Sequence, residues 1–143
     1  MRHNLDGAIV CIIGLGYVGL PLAEAFSAGF KVIGFDSDRE KVKKLRKNNG
    51  NPNLVITDKT DEIGLADFVI ICVPTPVTKF KDPDLSYVKS AAEITRRNMK
   101  KGSTVILEST VYPGVTEEMV MPILEKESGL IGGITISLPF GYP

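Results

Sequence analysis

Short apolar runs alternate with amphipathic stretches along the whole chain. Residues 8–13 (AIVCII) form a continuous apolar run of the kind that makes a strand buried on both faces. Residues 17–28 follow with apolar positions at helical spacing, and Gly29 is a suitable stop. A second strand is expected at 31–35 (KVIGF), then a charged helix at 38–47 with Val42 and Leu45 facing inward. Further strands are expected at 53–57 (NLVIT), 67–73 (DFVIICV) and 103–107 (STVIL). The helix between the last two spans 84–99, with Leu85, Val88, Ala91, Ala92 and Ile94 on its buried side. A helix over 114–128 and a sixth strand at 134–138 (ITISL) complete the pattern. Strands alternating with helices predict an α/β fold, a doubly wound parallel sheet of Rossmann type with about six strands.

Composition narrows the class. The chain has 143 residues, 43% of them hydrophobic and 24% charged, with zero formal net charge. One domain over 1–143 fits that length, and the mix is that of an ordinary globular fold. The charge balance asks for no nucleic-acid partner. Residues 7–23 are uncharged, but the glycines and Pro21 punctuate them as turns, so neither a membrane span nor a secretory leader is expected. Cys11 and Cys72 lie inside apolar runs and read as buried thiols of a reducing, cytoplasmic compartment. His3 is the single histidine, so neither a structural zinc site nor a Ser-His-Asp triad is expected.

The chemistry gathers at strand ends. Gly14-x-Gly16-x-x-Gly19 follows the first strand and opens the first helix. In that setting Gly14 permits the tight turn, Gly16 lets a pyrophosphate approach the backbone, and Gly19 lets the helix pack on the strand. Asp36 ends the second strand about 20 residues further on, where an acidic side chain accepts hydrogen bonds from ribose hydroxyls. A carboxylate there favours NAD over NADP, although Arg39 and Lys41 stand close by. Pro74 and Pro76 stiffen the turn after the fourth strand, and Thr75 offers a hydroxyl toward a cofactor. Ser109 and Thr110 follow the fifth strand on the same edge, with hydroxyls suited to phosphate oxygens or to a catalytic water.

The runs GLGYVGLPLA (14–23), GFD (34–36), CVPTPV (72–77), PDLSYV (83–88) and ESTVYPG (108–114) together resemble the N-terminal, NAD-binding domain of the UDP-glucose/GDP-mannose dehydrogenase family. Residues 108–130 look most similar to UDP-N-acetyl-hexosamine 6-dehydrogenases. The resemblance implies oxidation of the C6 hydroxymethyl of a nucleotide sugar to a carboxylate, for polysaccharide biosynthesis. It implies two NAD+ per turnover, and a thiohemiacetal and then a thioester on a cysteine. It implies that Gly14, Gly16, Tyr17, Val18 and Gly19 form the pyrophosphate loop. Asp36 then matches the ribose ligand, Lys41 the basic position beside it, and Pro74 and Thr75 the nicotinamide half. Ser109 matches a cofactor contact, and Thr110 the hydroxyl that positions the hydrolytic water. The implied partners are a UDP-sugar substrate and, in a full-length protein, further copies of the chain.

The chain also departs from the pattern. The family carries a longer insert where this chain has 48–53 (NNGNPN). Where the family continues with Gly-Tyr-Ser-Pro-Glu-Arg, this chain reads Phe140-Gly141-Tyr142-Pro143. The central helix, the substrate domain and the nucleophilic cysteine are therefore expected to be absent, and this segment alone to be inactive. Two alternatives remain open at this point: the cofactor domain of a β-hydroxyacid dehydrogenase, and a freestanding dinucleotide-binding or regulatory module.

Overall fold

In the computed structural model, which describes residues 5–108 and 116–125, five parallel strands form one sheet in the order β3-β2-β1-β4-β5. They are β1 (Ile9–Ile13), β2 (Lys31–Phe35), β3 (Leu54–Thr57), β4 (Phe68–Ile71) and β5 (Thr104–Leu107). The strand ends are level: Thr57 pairs with Phe35, Phe35 with Ile13, Ile13 with Ile71, and Ile71 with Leu107. All five C-termini thus deliver their outgoing loops to one edge.

Alternation along each strand makes two cores. Val10 and Ile12 of β1 face helices α1 (Gly19–Phe26) and α2 (Arg39–Asn48), whose Ala23 and Val42 are buried there. Cys11 and Ile13 face the other side, under α3 (Ser86–Asn98) and the helical segment that runs from a π-wound turn at Thr116–Val120 into α4 (Met121–Glu125). Helices on both faces explain why the strands read as unbroken apolar runs.

The sixth strand expected at 134–138 lies outside the described residues, and the helix expected over 114–128 is described for 116–125 only. The first helix begins at Gly19, not at residue 17, because residues 16–18 turn across the sheet edge before winding starts. The strand expected over 67–73 ends at Ile71, just ahead of a Val73-Pro74 step that disfavours helical backbone and opens the loop. A 3-10 helix at Thr60–Leu65 was not foreseen, since six residues are too few to show a period. Its Ile63 is fully buried, and a side chain at Gly64 would stand 2.7 Å from the Asn98 carbonyl oxygen.

Asparagine side chains brace the polar turn 48–53. The Asn51 amide donates to Asn49 Oδ1 and the Asn53 amide to Asn51 Oδ1. The Asn51 and Asn53 side chains then donate to Ser27 Oγ (2.6 Å) and Ser27 O (3.2 Å), tying the entry of β3 to the end of α1. At the opposite end of the sheet from the level strand termini, Asp67 accepts from the Ile9 amide and pairs with Lys100 Nζ at 2.7 Å. That pairing holds its carboxyl below the usual range. No helix among the described residues is long and apolar enough to cross a membrane.

Candidate functional site

At the exit of β1 the three glycines divide their labour. Gly14 adopts φ +98°, where a side chain is strained, and an added Cβ would lie 2.9 Å from the Cys72 carbonyl oxygen. A Cβ on Gly19 would collide with the Gly14 carbonyl, so the helix lies directly on the strand exit. At Gly16 the same atom would meet nothing within 4 Å. Its hydrogen is therefore required by no protein neighbour, which leaves the space beside it open to a ligand.

The start of α1 is itself unfilled. Val18 precedes it with no side-chain cap, and no acidic residue stands in its first turn. Among the described residues the amides of Gly16, Tyr17, Val18 and Gly19 donate no hydrogen bond. By contrast Asp38 caps α2 through the amides of Glu40 and Lys41, and Asp84 takes the Ser86 amide at α3. At α1 four consecutive free donors add to the positive end of the helix dipole, the arrangement that holds an anion. Tyr17 and Val18 are exposed, so this loop contributes its backbone to the site.

Asp36 directly follows β2, with 8% of its surface exposed. Its Oδ2 accepts from the Leu15 amide (3.0 Å) and from Lys41 Nζ (3.2 Å), and its Oδ1 accepts from the Asp38 amide (2.9 Å). Each carboxylate oxygen has about two lone-pair sites, so Oδ1 keeps one for a ligand hydroxyl. Arg39 reaches away to Asp58 at 3.5 Å and is largely exposed, which leaves Lys41 as the cation on this carboxylate.

Between these parts and α3 lies a cleft of about 460 Å3, within the roughly 300–1,000 Å3 typical of small-molecule sites. Gly14, Asp36, Lys41 and Pro74 line it. Thr75 follows Pro74 half-buried, and its hydroxyl makes no hydrogen bond among the described residues. Ser109 and Thr110 fall outside the described residues. The far wall is formed by Tyr87 and Ser90 of α3, which the apolar pattern alone does not mark, together with Ile94, expected on the buried side of the helix. Their spacing of three and four residues within the PDLSYV segment and beyond is the signal that could have marked them.

Cys11 and Cys72 are buried, and burial pushes each thiol up to about 12. A thiol protonated throughout the neutral range is no nucleophile.

The sequence pattern of the UDP-glucose/GDP-mannose dehydrogenase family, NAD binding domain, matches residues 8–52 and 47–139. The chain belongs to that family. The two matched stretches overlap at 47–52, at the polar turn where the resemblance expects a longer insert. The chain is 42% identical over 135 residues to Protein CapL of Staphylococcus aureus, covering 87% of this chain and 32% of that one. It is 40% identical over 140 residues to the UDP-N-acetyl-D-glucosamine 6-dehydrogenase of Salmonella typhi, covering 89% of this chain and 33% of that one. Among solved structures, UDP-D-ManNAc dehydrogenase from Pyrococcus horikoshii superposes with a TM-score of 0.80 at 34% identity, over 91% of this chain and 35% of that one. The chain thus spans about a third of the length of the curated relatives it matches. NAD is the cofactor of the matched domain, and the donors at α1, the open space at Gly16 and the free lone pair on Asp36 fit it.

Proposed function

We propose that this chain is the cofactor-binding part of a nucleotide-sugar 6-dehydrogenase that oxidises the C6 hydroxymethyl of a UDP-N-acetyl-hexosamine, or of UDP-glucose, to the uronate for polysaccharide biosynthesis. The observation that carries the reading is the row of undonated amides at 16–19 set beside Asp36 on one sheet edge. The amides and the dipole of α1 hold the pyrophosphate, and Asp36 with Lys41 holds the adenosine ribose. Pro74 and Thr75 border the nicotinamide half. Bound NAD+ supplies the hydride acceptor. Ser109 contacts the cofactor, and Thr110 positions the water that releases the carboxylate. The nucleophilic cysteine and the sugar-binding groups belong to the portion of the relatives that this chain does not span, since Cys11 and Cys72 are buried and protonated. The reading includes a cytoplasmic enzyme that works as a homo-oligomer on a UDP-sugar.

Binding, not turnover, is the measurement suited to this chain. Calorimetric titration with NAD+ and NADP+ is expected to show saturable NAD+ binding and much weaker NADP+ binding. Equal affinity for both, or no affinity for either, overturns the reading.

A further inference from the structure

We infer that Gly34 is a positioning residue for the cofactor edge: it leaves a hole in the sheet that seats the Leu15 side chain, and this seating fixes the glycine loop against Asp36. The assignment rests on the cofactor reading above. One cross-strand row runs through all five strands, in the order Ile106, Ile70, Ile12, Gly34 and Ile56. Its isoleucines pack in the core on the α1 side. Four positions of the row thus carry the same branched side chain, and one carries none. A glycine inside a strand gives up packing and costs conformational entropy, so such a gap marks a place that another group enters.

The group that enters is Leu15. A Cβ on Gly34 would stand 3.1 Å from Leu15 Cδ2 and 3.3 Å from Leu15 Cδ1, with Leu54 Cδ1 at 3.6 Å. Leu15 belongs to the loop after β1, yet it is only 3% exposed, whereas residues 16–18 that follow it are exposed. Its side chain is therefore the anchor of that loop in the core. Its backbone amide donates to Asp36 Oδ2 at 3.0 Å. One strand exit thus offers two holds two residues apart, a hole for the Leu15 side chain and a carboxylate for its amide. The undonated amides start at the next residue, Gly16, so their place beside Asp36 is set by how deeply Leu15 sits. A methyl in the hole lifts Leu15. Gly14 is held against the Cys72 carbonyl on the other side, so the displacement is taken up between the Leu15 amide and Asp36.

Calorimetry with NAD+ and NADP+ on Gly34→Ala, Leu15→Val and the double variant tests this. Gly34→Ala should weaken NAD+ by roughly 10- to 100-fold, the loss of one hydrogen bond to a charged group. It should also shrink the NAD+/NADP+ affinity ratio, because a carboxylate released by the Leu15 amide turns toward Lys41. Leu15→Val removes both atoms that the new methyl would meet and keeps the amide. Alone it should bind NAD+ as the parent does, and combined with Gly34→Ala it should restore both the affinity and the ratio. A merely structural glycine would move the urea midpoint and leave the ratio where it was. If Gly34→Ala is folded and matches the parent in affinity and ratio, Gly34 positions nothing, while the cofactor reading stands. If Gly34→Ala does not fold, the double variant decides: parent-like NAD+ binding by a folded double variant supports the peg and hole, and weak binding by it overturns them. If the parent chain binds neither cofactor, the cofactor reading itself falls, and this assignment with it.

Discussion

A methyl group on Gly14 would sit 2.9 Å from the carbonyl oxygen of Cys72, so the exit of β1 packs against the chain leaving β4 with no room for a side chain between them. This approach brings the glycine loop and the Pro74 turn to one edge. Gly14→Ala meets two penalties, a strained φ of +98° and a backbone clash that no rotamer relieves. We expect a loss of about 2–5 kcal/mol, the sum of a left-handed non-glycine residue and local overpacking. Urea unfolding should show the midpoint falling with little change in slope. An unchanged midpoint would mean that the two strand ends separate at no cost.

Gly16 gives the opposite result. Its hypothetical side chain meets nothing within 4 Å, so Gly16→Val should fold like the parent, while the branched side chain fills the space beside the free amides. NAD+ binding should fall below detection in calorimetry, with the unfolding midpoint unmoved. Retained binding would take the phosphates away from this loop.

Much of this edge was legible in the sequence because each glycine there answers to a separate physical demand. A turn at Gly14 and close packing at Gly19 follow from spacing after an apolar run, and Asp36 from its place at the end of the next one. The cleft wall on α3 was less legible. Tyr87 and Ser90 sit on the partly exposed side of a helix whose buried stripe dominates its periodicity, so residues facing a ligand and residues facing water look alike. The 3-10 helix at Thr60–Leu65 was hidden for another reason: it is held by the burial of Ile63 and by the approach of Gly64 to Asn98, contacts distant in sequence. The start of α1 at Gly19 depends on an uncapped turn, a feature set by what the loop leaves unbonded.

The two thiols give a pH signature. Burial raises Cys11 from 9.0 to about 12, with a smaller push from Glu62, and burial likewise raises Cys72 from 9.0 to about 12, with Glu108 adding to it. The folded chain keeps these protons where the unfolded chain loses them. Their contribution to stability is complete below pH 9 and is lost as pH rises toward 12. Each thiol adds a slope of about 1.4 kcal/mol per pH unit in that window. Denaturant titrations from pH 8 upward should show this decline in the parent and a shallower one in Cys11→Ala, a comparison in which lysine and tyrosine ionisation cancels. At pH 8 a thiol-specific reagent should label neither cysteine until the chain unfolds. Prompt labelling in the native state would contradict their burial.

Asp36 and Lys41 set the cofactor preference against each other. The carboxylate repels a 2′-phosphate on the adenosine ribose, and the ammonium 3.2 Å from its Oδ2 offsets part of that repulsion. Asp36→Asn should therefore weaken NAD+ through the ribose contact yet leave NADP+ nearly as it was, so the ratio of the two affinities shrinks. Lys41→Met should do the reverse to the ratio: it strips the Lys41 ammonium off the carboxylate, and NADP+ loses more than NAD+. A hydrogen bond to a charged group contributes about 1.5–3 kcal/mol, so the Asp36→Asn effect on NAD+ should be roughly ten- to a hundredfold. Stability separates a binding role from a structural one. Asparagine at 36 can still accept from the Leu15 amide, whereas Asp36→Ala leaves that buried donor without its acceptor, at a cost of about 1–3 kcal/mol. Calorimetry with both cofactors, alongside urea unfolding of the three variants, reads all of these effects. The two substitutions must move the NAD+/NADP+ ratio in opposite directions; if both move it the same way, the pair acts as one neutral unit and the carboxylate does not select the cofactor.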